Sequence, residues 1–171
     1  CVMNEGEIAT RMGLRGVPSY AEAMIIERDI WLVKETKCRY HVNHISTKES
    51  VDIIRNAKKD GLPVTCDTSP PYFTLNEFNI EDYRTFAKLN PPLRTEKDRV
   101  AIIEGISDGT IDSITSDHTP QDQDAKRLPF NQAEFGGVGL ETLLPLSLNL
   151  VRNKKINIET MISLMTYNPA R

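Results

Sequence analysis

Short β-like runs alternate with capped helices along this chain, and that alternation restricts its fold more than any other feature. Residues 39–45, 62–67 and 111–116 read as strands, with a weaker run at 85–89, and helical stretches open at Ser46 and Thr95 between them. Strands joined through crossover helices pair in parallel. Helix-to-strand links are tight and strand-to-helix loops are long, so the long loops gather at the strands' C-terminal ends. An α/β fold follows, either half of a (β/α)8 barrel or a small doubly wound sheet. Four strands cannot close a barrel, so the barrel reading leaves two sheet edges for other chain to cover.

The helices announce themselves by their caps. Ser19 with Glu22 predicts a capping box opening a helix to about Lys37, with Met24, Ile25, Trp31 and Leu32 as its buried stripe, widened by Ile26, Ile30 and Val33. Ser46 with Glu49 predicts a second helix, buried through Val51, Ile54 and Ala57 and stopped at Gly61. Thr95 with Asp98 opens another to about Ser107, residues 139–151 form a strongly apolar one, and Asn157 caps the last. Residues 1–18 read as loop with at most one short helix, 68–79 as loop, and 118–138 as a long loop of the length typical of a functional lid or a connection.

Bulk properties exclude several functions. A net charge of -3 and a pI near 5.7 argue against a nucleic-acid binder, which needs a basic excess. Three cysteines without a C-x-x-C pair point to reduced thiols and a cytoplasmic setting. No apolar run approaches the roughly 18 residues of a membrane span, so a soluble protein with a small-molecule substrate is expected. The chain opens on Cys1 and ends at Arg171, as expected of one segment of a longer protein.

The chemistry concentrates where strands end. The run Thr115-Ser116-Asp117-His118-Thr119-Pro120 closes an apolar strand with an acid, a histidine and a breaking proline, and His44 closes the strand at 39–45. Alternation puts His44 on one face with Tyr40 and Val42. Imidazole nitrogen and carboxylate oxygen at one sheet rim suit zinc. Two donors do not complete a site, and the alternatives are a turn-capping Asp117 and a core histidine at 44.

Five runs, in order along essentially all 171 residues, carry a family resemblance: Asn4-Glu5-Gly6, His41 through Thr47, Asn90-Pro91-Pro92-Leu93-Arg94, Ser116 through Pro120, and Gly139-Leu140-Glu141-Thr142. Together they resemble dihydroorotase of the amidohydrolase superfamily, of the multifunctional-complex type. The resemblance implies that residues 1–171 are a single segment, the C-terminal half of a (β/α)8 TIM barrel with its last four strands. It implies a zinc-dependent hydrolase, with one or two zinc ions per full-length chain, that interconverts carbamoyl aspartate and dihydroorotate in pyrimidine synthesis. His44 and Asp117 become metal ligands, and Asp117 also the general base. Asn90, His118, Gln121, Phe135 and Gly136 become substrate contacts. A homo-oligomer is expected, with no nucleic acid or membrane partner.

The sequence also departs from that family. Its first-strand H-x-H pair and the lysine or aspartate that bridges its metals would lie upstream of Cys1. Pro71 stands where the family carries another metal-binding histidine, and Gln121 where many relatives carry a histidine. Either the site is rebuilt, with Asp67 or residues outside this segment, or the parent is a non-catalytic dihydroorotase-like subunit supporting aspartate carbamoyltransferase. A third reading is another cyclic amidohydrolase, such as dihydropyrimidinase or allantoinase.

Overall fold

The computed structural model describes residues 1–171. Three parallel strands form the central sheet in the order β3 (Tyr40–Val42), β4 (Val64–Thr68), β5 (Ser113–Ile114). Tyr40 pairs with Val64 and Val42 with Cys66, while Asp67 pairs with Ser113. The crossovers are α3 (Lys48–Lys59), between β3 and β4, and α5 (Glu96–Ser107), between β4 and β5. A separate parallel pair, β1 (Met3–Asn4) and β2 (Gly16–Val17), flanks α1 (Glu7–Met12) and leads into α2 (Ser19–Thr36). The chain closes with α4 (Pro70–Thr74) after β4, α6 (Gln123–Arg127) after β5, then α7 (Leu140–Arg152) and α8 (Ile158–Met165). No helix is long and apolar enough to cross a membrane.

Local capping chemistry explains several helix starts. Thr95 and Asp98 form the expected reciprocal box, and Asn157 accepts from Thr160 N. Two expected caps are corrected. Thr47, not Ser46, caps α3 by accepting from Ser50 N. Pro18 precedes α2, and Glu22 makes no box with Ser19. It turns inward to accept from Ser46, Thr47 and Ser50.

Two cores result. The larger packs α2, α3, α5 and α7 against one face of the sheet, through Ile30, Val42, Ile54, Cys66, Ile102 and Ile114. The smaller joins Met3, Ile8, Leu14, Ile80, Leu93 and Phe130. Between them lies a polar seam. Arg94, 4% exposed, donates to Asn4 Oδ1, Val17 O and Ser46 Oγ, and its Nη2 stands 3.7 Å from Glu22 Oε2.

The expected stripe of α2 is reversed. Met24, Ile25, Trp31 and Leu32 are exposed, and Ala23, Ile26, Ile30 and Val33 are buried. This helix is apolar on more than one side, so hydrophobicity alone did not identify the inner face. Nor is 85–89 a strand. It begins as a 3-10 turn at Thr85–Ala87, and Lys88 O pairs with Gly136 N in the 118–138 segment instead of with the sheet. The strands therefore number three in the sheet and two in the N-terminal pair, in place of the expected four.

The 118–138 segment is anchored by two buried lysines. Lys88 Nζ donates to Phe130 O (2.7 Å), Ala133 O (2.5 Å) and Asn131 O (3.3 Å), and Lys126 Nζ donates to Thr85 O and Glu134 O. Burial lowers the pKa of both ammonium groups.

Candidate functional site

The C-terminal ends of β3, β4 and β5 bring four side chains into line. Asp67 Oδ1 lies 2.9 Å from His44 Nδ1 and accepts from His44 N at 2.7 Å, while its Oδ2 lies 3.0 Å from His41 Nε2. On the other side of the ring, His44 Nε2 lies 3.7 Å from Asp117 Oδ1. An ionised carboxylate only accepts, so Nδ1 carries the proton toward Asp67 and neutral His44 turns its Nε2 lone pair toward Asp117.

The charges support this order. Hydrogen bonding to Asp67 raises the His44 pKa, against the opposing effect of burial. Burial by itself would raise Asp67, yet hydrogen bonds from His44 and His41 outweigh it and hold the carboxyl below its ordinary range. Burial raises Asp117, partly offset by His44.

Backbone conformation aims two of the four groups. His44 (φ 54°) and Asp117 (φ 47°) adopt the left-handed region, each just beyond the end of its strand. Side chains other than Gly, Asn and Asp seldom enter that region, and each such residue costs about 1–2 kcal/mol. The face argument from alternation is corrected here. Tyr40 and Val42 pack into the helix-covered core, and β3 ends at Val42. The left-handed turn, not strand parity, swings His44 to Asp67. His41, on the opposite sheet face, also bonds to Thr65 Oγ1 at 2.7 Å.

Asp117 opens onto a groove of about 360 Å³ walled by Pro71, Leu75, Phe86, Leu89, Val138 and Leu146. Two glycines let the following segment close over the strand end. A Cβ on Gly139 would stand 2.0 Å from Ser116 O, and one on Gly136 (φ 117°) would stand 2.3 Å from Thr119 O. His118 Nδ1 accepts from Gly139 N (3.1 Å) and Leu140 N (3.3 Å), so its ring ties down the start of α7.

The other expected substrate contacts are dispersed. Asn90 is exposed beyond Leu89, and Gln121 is exposed outside the groove wall. Phe135 stacks 4.6 Å from the Lys88 ammonium, and Gly136 is buried beneath Thr119. Pro71 does share the groove with Asp117, where its ring offers no donor. No three His, Cys, Asp or Glu side chains converge to hold a metal ion.

Sequence reasoning missed the bridging of His41 and His44 by Asp67. Thr65 and Asp67 alternate on one face of β4, and that alternation was the available signal. Nothing in the sequence marked the tie from Lys88 to distant carbonyls.

Parallel strands crossed by helices, with histidine and aspartate at their C-terminal rim, resemble the C-terminal part of an amidohydrolase-type barrel. L-hydantoinase (dihydropyrimidinase) from Arthrobacter aurescens superposes with a TM-score of 0.82 at 30% identity, over 90% of this chain and 35% of that one. D-hydantoinase from Bacillus sp. AR9 gives 0.84 at 24% identity, a likeness of fold alone.

Within that class the chain is similar to dihydroorotases. Residues 1–50 match the family model described as dihydro-orotase-like. The dihydroorotase of Desulforapulum autotrophicum is 50% identical over 169 residues, 99% of this chain and 40% of that protein. That of Ehrlichia chaffeensis is 48% identical, over 98% of this chain and 38% of that protein. The chain thus spans about 40% of the length of the curated relatives it matches.

Proposed function

We propose that the parent of this segment is a dihydroorotase, opening the ring of dihydroorotate to carbamoyl aspartate and closing it again in pyrimidine synthesis. The observation that carries the reading is the pairing of His44 Nε2 with Asp117 Oδ1 at 3.7 Å, backed by Asp67. The free thiols of Cys1, Cys38 and Cys66 support a cytoplasmic setting.

The donors fit part of a zinc shell. Two ligands each about 2.1 Å from a tetrahedral zinc stand about 3.4 Å apart, close to the observed gap. A carboxylate behind the imidazole is the usual support for a ligating histidine. His44 and Asp117 would hold the metal, and the remaining donors would come from the part of the parent corresponding to the rest of its relatives. When bound, zinc polarises an amide carbonyl and acidifies water.

This chain's own residues do the rest. Asp117 takes a proton from the attacking water, whose oxygen forms the new bond to the ring carbonyl carbon. The C–N bond breaks, and Asp117 returns the proton to the leaving nitrogen. Asp67 fixes the tautomer of His44. Gly137, Val138 and Gly139 line the groove beside Asp117, and His118 ties down the segment that carries them.

A second reading rests on Pro71. A donorless ring on the groove wall beside Asp117 favours a non-catalytic subunit that supports aspartate carbamoyltransferase. Ring opening of dihydroorotate by the full-length parent, with and without zinc and beside Asp117→Asn, separates the two. Zinc-dependent turnover that disappears in the variant supports the enzyme. Well-folded parent without turnover at any zinc level supports the subunit.

A further inference from the structure

His44 stands between two carboxylates, so the single ring proton of its neutral form has two places to go. Asp67 Oδ1 lies 2.9 Å from Nδ1, and Asp117 Oδ1 lies 3.7 Å from Nε2. A proton on Nδ1 leaves the Nε2 lone pair free on the Asp117 side, and a proton on Nε2 blocks it. The shorter contact prevails only while Asp67 is held in place. Asp67 is 3% exposed, and its Oδ1 accepts from His44 N at 2.7 Å. Its Oδ2 has one partner, His41 Nε2 at 3.0 Å.

His41 is itself oriented from behind. It is the register partner of Thr65 across β3 and β4. Residues 65 and 67 stand about 6.6 Å apart on one face of a strand, a span that an imidazole closes with a hydrogen bond at each nitrogen. The Asp67 carboxylate only accepts, so His41 Nε2 carries a proton. In neutral His41, Nδ1 then accepts from Thr65 Oγ1 at 2.7 Å. Hydroxyl, ring and carboxylate form a line that ends at the far nitrogen of His44.

We propose that His41 and Thr65 are positioning residues: the Thr65 hydroxyl sets the tautomer of His41, and His41 holds Asp67 so that His44 keeps its lone pair on Nε2. Neither residue lines the groove beside Asp117. The use of that lone pair to hold zinc rests on the proposed dihydroorotase reading, whereas the tautomer does not. Without the His41 donor the buried Oδ2 is unsatisfied, the carboxylate turns toward another partner, and the His44 proton shifts to the Asp117 side.

The test uses the full-length parent, labelled with 15N-histidine, and four variants. His41→Phe keeps a ring without nitrogen, and His41→Gln returns an amide donor. Thr65→Val removes the hydroxyl, and Thr65→Ser returns it. In the zinc-free parent, at a pH above the raised titration of His44, its ring signals are expected to show a protonated Nδ1 and a bare Nε2. His41→Phe, and Thr65→Val to a smaller extent, are expected to mix in the Nε2-protonated form, and the Gln and Ser variants to restore the parent pattern. Outer partners of a ligating histidine change metal affinity by about 10- to 100-fold. Competition with a chromophoric chelator is expected to show zinc held about tenfold more weakly in His41→Phe, with kcat falling and KM steady.

Unchanged His44 ring signals and unchanged zinc affinity in folded His41→Phe overturn the inference. An equal loss in His41→Gln also overturns it, because that assigns His41 to shape alone. If His41→Phe does not fold, Thr65→Val at the far end of the line decides by the same two readouts. Shifted His44 signals in a parent that opens no dihydroorotate leave the positioning roles standing and remove the dihydroorotase reading. Zinc-dependent ring opening with His44 signals unmoved in every variant does the reverse.

Discussion

Glu22→Gln tests whether the polar seam holds the two cores together. Glu22 accepts from Ser46 N (2.9 Å), Ser46 Oγ (2.5 Å), Thr47 N (3.3 Å), Thr47 Oγ1 (3.4 Å) and Ser50 Oγ (2.6 Å), and faces Arg94 at 3.7 Å with its side chain 14% exposed. Glutamine keeps the shape and one accepting oxygen. Its amide NH2 then replaces the oxygen nearest Ser46 Oγ and Arg94, so one charge-assisted bond is lost and a buried guanidinium loses its counter-charge. A bond to a charged group contributes about 1.5–3 kcal/mol, and breaking a fully buried pair costs about 3–5 kcal/mol. The gap of 3.7 Å and the residual exposure place the expected loss near the lower figures, at about 3 kcal/mol. For a chain of this size that lowers Tm by roughly 6–12 °C. Urea unfolding of the purified chain gives the loss directly if the slope m is unchanged. Adding Arg94→Met completes a double-mutant cycle, with coupling of about 1 kcal/mol or more expected. A loss under about 1 kcal/mol, or strict additivity with Arg94→Met, refutes the argument.

Three further outcomes follow from the packing. Burial pushes the Cys66 thiol up to about 12 from its ordinary 9.0, so the unfolded chain releases this proton first as pH rises. Stability tied to Cys66 is therefore full below about pH 9 and falls by about 1.4 kcal/mol per unit toward about pH 12. Cys66→Ala should remove that slope from unfolding free energies measured across the window. Gly139→Ala places a methyl against Ser116 O, and thermal melts should show a loss of about 1–3 kcal/mol. Lys88→Met leaves the carbonyls of Phe130 and Ala133 without their donor. Amide exchange at Gly136 should accelerate at least tenfold, following a local cost of about 1–3 kcal/mol per orphaned group, while exchange in α3 and α5 stays slow.

How much was legible in the sequence depended on the range of the interactions. Helix starts at Thr95 and Asn157 were readable because a cap is chemistry between neighbours three residues apart. The parallel order of β3, β4 and β5 followed from crossover helices between strand-like runs. His44 and Asp117 were correctly placed near one another, but for His44 the reason was wrong, since a backbone turn and not alternation aims it. Glu22 looked like a cap and serves a distant seam. The run at 85–89 reads as a short strand on its brief apolar pattern, whereas Lys88 within it is satisfied by carbonyls more than forty residues away. Two-residue strands such as β1 and β2 are too short to show any period.

The left-handed turns at His44 and Asp117 also bound the histories open to this protein. A positive φ admits Gly, Asn and Asp readily and other residues reluctantly, whatever chemistry the position performs. If selection for the proposed catalysis were relaxed in a descendant, drift at these two positions would be steered by backbone sterics toward Asn and Gly. Valine or isoleucine would be filtered out by folding. Loss of activity would then leave a chain whose rim still curls the same way, and its ancestry would remain readable in the geometry after the reactive groups had gone.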